Sequence, residues 1–400
     1  MKDNKKSILV SSMLGLGLEG MDVLLLSFAL SSIISEFHIP SAEGGLLPAI
    51  TNIGMLLGGL LFGYLADRKG RIKVFSYTIF IFAIATALMA FANSMIEIYI
   101  LRFLVGFGAG GEYGIGMALV AESFPKEKRG QMSSWITVGG QMGTILAAII
   151  AAMITPYFGW RATFLFGLIP VILAFFVRRK LPETKSWQES KEKKDVKIGF
   201  FKLLFKNAKT TGITLGLTVM SAVQVAGYYG LMNWLPSYLE NKLGLSVSGS
   251  SIWMISTIVG MSIGMLTFGK VLDKYGSKIA YSIFLILAGV SIIFYIYVDN
   301  AYLMLLVGAV VGFFANGMNA GFGALISSFY PTEIRSFANN AIFNTGRAVG
   351  GLSPIIIGYV IDKSGFTYAL LFLASIYLVS LIIINVIPNP MKGSKTENEV

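Results

Sequence analysis

Long apolar runs separated by short charged segments dominate the chain. Stretches of about 20 residues, each enough to cross roughly 30 Å of hydrocarbon as a helix, recur along it. They fall at 8–36, 43–66, 73–93, 97–120, 131–155, 161–178, 208–238, 248–270, 278–298, 301–326, 336–360 and 366–388. These twelve predicted spans absorb most of the 400 residues. The rest, two short tails and a middle segment of about 30 residues, is too little to bury a core of its own. The pattern therefore predicts an all-α integral membrane protein, with helices over 1–180, a linker over 181–207, and helices over 208–400 ending in a short tail. The first apolar run is too long for a signal-peptide core and lacks a small-residue cleavage site after it, so it reads as a retained helix.

An internal repeat refines this picture. GYLADRKG after span 2 carries Gly63, Asp67 and Gly70, and GKVLDKYG after span 8 carries Gly269, Asp273 and Gly276, all 206 residues apart. Pro125 and Arg129 recur at the same offset as Pro331 and Arg335, and Gly159 as Gly365. Six pairs at one offset define two pseudo-symmetric six-helix halves in parallel register, whose expected ligand site lies at their interface near mid-bilayer.

Charge placement sets the topology. Of the 32 Lys and Arg, 27 fall in the tails and alternate loops of one side when both termini are cytoplasmic; the opposite loops hold only Arg161, Lys242 and Lys363. This is the positive-inside pattern of a multi-pass protein of the inner or plasma membrane, and it accounts for the net charge of +11 without nucleic acid. The basic segment 178–209 reads as a surface linker that either anchors topology or touches anionic lipid. Absence of cysteine and a single histidine, His38, exclude disulfides, thiolate chemistry and multi-histidine metal sites, so no metal and no cofactor is expected. His38, in an outer loop, is assigned no role beyond solvent contact. Nothing in the sequence calls for a second copy of the chain.

Two charged residues lie inside spans on the basic side of the ledger, Arg102 and Arg347, and three acids lie as deep: Glu19, Asp22 and Glu112. An ionisable side chain at the bilayer centre costs about 2.5 to 3.5 kcal/mol on insertion scales, so each calls for a reason. Glu19 and Asp22 are separated by about 60° around span 1 and share a polar face. Asp22 lies roughly 24 Å along the axis from Lys6, in the outer half of the bilayer, where Arg102 also falls. The two form either a proton-carrying pair, in which alternating access changes the balance between desolvation and ion pairing, or a static pair joining two helices. Glu19 is either a second proton site or a group that orients substrate. Glu112, in GGEYG, either hydrogen-bonds into the seam made by Gly106, Gly110 and Gly114 or belongs to an inner gate, or else takes part directly in coupling.

Arg347 lies roughly 18 Å beyond Arg335 along its helix, near mid-membrane, and shares a face with Asn340 and Asn344. Its planar fork suits a carboxylate, and no acid in the second half lies at its depth. It is read as the ligand for a negatively charged substrate, or as half of a salt bridge to Glu19 or Glu112. Gln224, Tyr228 and Tyr229 on span 7, Asn316 and Asn319 on span 10, and Gln141 at the repeat position of Arg347 complete the expected binding wall.

The loop GYLADRKGRIK resembles the signature loop of the major facilitator superfamily. The weaker copy after span 8, RFLVGFGAG, ESFPKEKRG and GWRATF extend the resemblance over the chain. EGMD on span 1 is similar to the helix 1 motif of aromatic acid/proton symporters, with Glu19 in place of its first Asp. GGEYG resembles sialate and monocarboxylate symporters, and EGMDVLLLSF looks like nicotinate-type transporters. The resemblance implies that Gly63, Asp67, Arg68, Gly70, Arg71, Glu122, Arg129, Asp273, Glu333 and Arg335 form a cytoplasmic gate, and that the acids and Arg102 stand at positions used for proton coupling. The expected function is proton-coupled uptake of a small organic anion, an aromatic or other monocarboxylate, by alternating access. The competing readings are a proton-coupled sugar symporter and a drug or metabolite efflux antiporter. No ATP-binding loop of the G-x-x-x-x-G-K-[ST] type is present, and no nucleophile and base stand at a recognisable catalytic spacing.

Overall fold

The computed structural model describes residues 2–39, 41–44, 46–166, 168, 172, 181–192, 200–244 and 251–388. These residues are helical with no strand among them. In chain order the helices are α1 (Lys2–Phe37), α2 (Ser41–Gly44), α3 (Leu46–Lys69), α4 (Arg71–Met89), α5 (Met95–Ala109), α6 (Glu112–Ser123) and α7 (Arg129–Phe166). The middle segment contributes α8 (Lys185–Glu192) and α9 (Phe200–Leu204). There follow α10 (Ala208–Leu243), α11 (Ser251–Tyr275), α12 (Ser277–Ile296), α13 (Ala301–Gly317), α14 (Phe322–Phe329), α15 (Arg335–Gly350), α16 (Ser353–Ser364) and α17 (Phe366–Val386). Ten helical segments among the described residues are long and apolar enough to cross a membrane. Most of the predicted span 161–178 lies outside them.

Three predicted spans are interrupted. The span at 97–120 breaks between α5 and α6 at Gly110 and Gly111, and that at 301–326 passes through a 3-10 turn, Met318–Gly321. The continuous helix expected over 336–360 is two helices, α15 and α16, because Pro354 lacks an N–H to bond backward and starts a new helix just after Gly350 and Gly351. Hydropathy does not register such breaks, since the residues on both sides stay apolar.

The repeat is visible in the backbone. Gly70 (φ 119°) and Gly276 (φ 81°) take positive φ at equivalent turns, as do Gly159 (φ 75°) and Gly365 (φ 88°). Gly159 interrupts α7, separating two predicted spans. Ser94 caps α5 by accepting from Glu97 N–H, and Asn300, again 206 residues on, caps α13 by accepting from Leu303 N–H.

The chain forms two compact units. The first comprises 1–125, 135–203 and 330–344, the second 126–134, 204–329 and 345–400. Within the first, α3 and α5 cross so closely that a Cβ on Gly58 would lie 1.9 Å from Phe107 O, and one on Gly106 would lie 2.0 Å from Thr51 O. In the second, α11 and α13 repeat the crossing, with Gly260 against Ala309 O and Gly312 against Thr257 O. Small residues permit this approach where helices lack a hydrophobic driving force to associate in lipid.

Candidate functional site

Close packing of α1, α3 and α5 brings Asp22 and Arg102 together inside the first unit. Both side chains are 1% exposed. Nη1 and Nη2 of Arg102 donate to Oδ1 and Oδ2 of Asp22 at 2.9 and 2.8 Å, and Nε donates to Thr51 Oγ1 at 3.1 Å. This bidentate fork is the strongest geometry available to the two groups. In the second half Tyr228 occupies the repeat position of Asp22, and Gly308 that of Arg102. Glu19, three residues from Asp22, is buried.

The break between α5 and α6 forms a second polar centre in the same unit. It frees backbone groups at membrane depth, which must be satisfied inside the protein. Asn344 donates to Gly110 O at 3.1 Å, and Asn340 accepts from Gly114 N–H at 2.9 Å while its amide lies 3.5 Å from Gly111 O. Both asparagines are buried, so in this structure they pack against the broken helix. Glu112 opens α6 and bonds with the hydroxyl of Thr78. The glycines at 106, 110 and 114 face Thr51, Met55 and Asn340 respectively.

The loops in the repeat form a matched pair of contacts. In the first unit, Asp67 accepts from Ser336 N–H at 3.3 Å and Phe337 N–H at 2.9 Å, capping α15. In the second, Asp273 accepts from Gly130 N–H at 2.7 Å and Gln131 N–H at 2.8 Å, capping α7. Carboxylates at helix N-termini meet both unsatisfied N–H groups and the positive end of the macrodipole. Around Asp67 there is more: Arg71 pairs with it and with Glu122, and donates to Thr332 O at 2.7 Å. Arg335 Nη1 lies 3.8 Å from Glu122. Gly63 lies against Phe337 and Asn340, and Gly70 turns the chain into α4. Arg68 is exposed and sits over the Tyr64 ring, Glu333 is half-buried in the turn before α15, and Arg129 is half-buried at the start of α7.

Of the remaining expected residues, Gln224 donates to Ala315 O at 2.8 Å and to Asn316 Oδ1 at 3.2 Å, stitching α10 to the end of α13. Tyr228 and Tyr229 stack edge to face with centroids 5.4 Å apart. Asn319 is half-buried in the 3-10 turn, and Gln141 and Arg347 are half-buried on α7 and α15.

Sequence reasoning missed five residues. Thr51 lies on the small-residue face of α3 with Gly54 and Gly58, a spacing that marks a helix contact. Thr78 holds Glu112. In the middle segment, Glu183 accepts from the N–H groups of Ile72 and Lys73, and Thr184 donates to Glu122. Trp187 donates to Asp67 O at 2.9 Å and is buried. A lone Trp in a run of charged residues was the available sign of this docking. The positions on either side, 178–180 and 193–199, lie outside the described residues.

Comparison with known proteins agrees with this architecture. The family model of the Major Facilitator Superfamily matches residues 12–265 and 217–400. A cis,cis-muconate transport protein of Acinetobacter baylyi is 31% identical over 92% of this chain and 90% of its own. A niacin transporter of the same organism is 26% identical over 96% and 94%. Among solved structures, the proton:xylose symporter with bound 6-bromo-6-deoxy-D-glucose superposes with a TM-score of 0.81 at 20% identity, covering 97% of each chain. The chain belongs to the major facilitator superfamily and is a multi-pass membrane transporter of the twelve-span fold, acting on a small molecule rather than catalysing a reaction.

Proposed function

We propose that the protein is a secondary active transporter that takes up a small organic anion, an aromatic or other monocarboxylate, together with protons. It works by alternating access in the inner or plasma membrane, with both termini cytoplasmic. One observation carries the proposal: a carboxylate and a guanidinium, Asp22 and Arg102, are joined as a buried bidentate pair in one sequence half and absent from the other. One site that gains and loses a proton as the halves rock is enough to couple transport to the gradient.

The substrate class follows from Arg347, whose fork at mid-membrane suits a carboxylate, and from the muconate and niacin transporters among the relatives, both named for carboxylic acids. The carboxylate caps at Asp67 and Asp273 serve in the cytoplasmic gate. Protons supply the drive, and no nucleotide or metal cofactor is needed.

The test is acidification of proteoliposomes loaded with a pH-sensitive dye, measured against protein-free liposomes. Benzoate, nicotinate, cis,cis-muconate, sialic acid, xylose and a cationic dye are offered to wild type, Asp22→Asn and Arg347→Ala. Acidification by acids alone, abolished by both changes, is the expected result. Acidification by xylose, or proton movement outward on addition of the cation, with Arg347→Ala indistinguishable from wild type, supports the sugar or efflux reading instead.

A further inference from the structure

We infer that Thr51 is a positioning residue of the coupling pair, fixing the rotation of the Arg102 guanidinium so that its fork stays on Asp22. The inference rests on the coupling role given to that pair above. Thr51 is buried on α3, and its hydroxyl donates to Leu47 O at 2.8 Å, one turn back. A hydroxyl has one proton. With that proton committed to Leu47, the oxygen faces Arg102 as an acceptor, and Arg102 Nε–H donates to it at 3.1 Å. The planar guanidinium is then held at three nitrogens: Nε on Thr51, Nη1 and Nη2 on the two oxygens of Asp22. Rotation about the bond to Nε would break the two Asp22 bonds, and tilting of the whole group would break the third.

The repeat supplies an internal control. Thr257 stands 206 residues after Thr51 and makes the same backward bond, to Trp253 O at 3.0 Å. A Cβ built on Gly308, the repeat position of Arg102, would lie 3.2 Å from its hydroxyl oxygen, so Thr257 faces that position without a guanidinium. The backward bond is therefore common to both halves and belongs to the helix crossing. The bond to arginine exists in one half only, beside the bidentate Asp22–Arg102 pair.

Two fluxes separate positioning from packing. Proteoliposomes are given radiolabelled benzoate, nicotinate, cis,cis-muconate or sialic acid, and uptake driven by an inward proton gradient is compared with exchange of the same acid at equal pH. Exchange returns the protonated, loaded carrier without releasing the proton, so it bypasses the step that needs Arg102 on Asp22. Thr51→Val and the smaller Thr51→Ala are expected to lower the ratio of driven uptake to exchange about tenfold, the effect of losing one hydrogen bond to a charged group. Thr51→Ser is expected to restore the ratio, and Thr257→Val to leave it at the wild-type value.

The inference is overturned if Thr51→Val and Thr51→Ala keep the wild-type ratio, if they reduce both fluxes in step, or if Thr257→Val lowers the ratio as much. Asp22→Asn, run in parallel, tests the reading beneath it. If Asp22→Asn abolishes driven uptake while Thr51 variants do not alter the ratio, Thr51 alone is misassigned. If Asp22→Asn retains driven uptake, or wild type moves none of the four acids, the transport reading itself fails and the role of Thr51 fails with it.

Discussion

Asp273 repeats, bond for bond, what Asp67 does 206 residues earlier. Each carboxylate accepts from the first two backbone N–H groups after an arginine that begins a helix, Arg335 for Asp67 and Arg129 for Asp273. The capped helix comes in each case from the other half of the sequence, which is why 330–344 belong to the first compact unit and 126–134 to the second. The two caps differ in their surroundings. Arg71 and Glu122 flank Asp67, whereas Ser277 and Ser328 stand at their repeat positions beside Asp273.

That asymmetry predicts unequal contributions to closure of the proposed gate. The chain contains no cysteine, so a single one at the buried positions Ser336 or Ser134 reports opening by its rate of maleimide labelling. Asp273→Asn is expected to speed labelling of Ser134→Cys about tenfold, the loss of charge from a pair of capping bonds. Asp67→Asn is expected to speed labelling of Ser336→Cys by more, since it also removes one of the two carboxylates on Arg71. Equal effects in the two halves would show that the Arg71 cluster adds nothing to closure.

Arg71→Ala is expected to be worse than either. Both Asp67 and Glu122 have fully buried side chains, and removing the cation between them takes away their shared counter-charge, a loss of about 3 to 5 kcal/mol for a broken buried pair. Melting of the detergent-purified variant checks this, and the double variant Arg71→Ala, Glu122→Gln is expected to recover part of the loss.

Much of the architecture was open to reading in the linear chain, because it is written in properties that need no distant partner: span length and a repeat at one offset. The meeting of Asp22 and Arg102 was also legible, since helical rise alone puts them at similar depth. What sequence did not carry were the breaks at Gly110 and Gly111 and after Gly350, and the docking of the middle segment. The first break and the docking depend on partners remote in the chain: Asn340 and Asn344 for the broken helix, Asp67 and Glu122 for Trp187 and Thr184. A mid-membrane asparagine looks the same in sequence whether it faces a substrate or a backbone carbonyl.

The glycine crossings predict a sharp contrast between two similar substitutions. Gly58→Ala puts a Cβ 1.9 Å from Phe107 O, backbone that cannot move without parting α3 from α5, whereas Gly212 has nothing within 4 Å of its Cβ position. Gly58→Ala is expected to destabilise by at least about 3 kcal/mol, the upper end of ordinary overpacking, and to reduce membrane yield. Gly212→Ala, in α10, is expected to be neutral or slightly stabilising by helix propensity. Comparable thermal stability for the two would mean that the crossing is looser than drawn.

Glu36, near the end of α1 and past its apolar stretch Lys5–Leu30, makes an acid-dependent contact. Arg161, by hydrogen bonding to it, and then the Trp160 indole hold the Glu36 carboxyl below its ordinary value of 4.5. Arg161 also donates to Ala92 O at 2.8 Å, so the contact joins the ends of α1 and α4 to the last part of α7. A carboxylate with a lowered folded value stabilises the fold above its unfolded value and loses that contribution as pH falls through the lowered one. Because both partners are substantially exposed, the contribution is below about 1 kcal/mol. Glu36→Gln should therefore melt slightly below wild type at pH 7, with the difference closing as the pH is brought under 4.5. A difference that persists undiminished in acid would leave no share for the charge and assign the effect to packing disturbed by the amide.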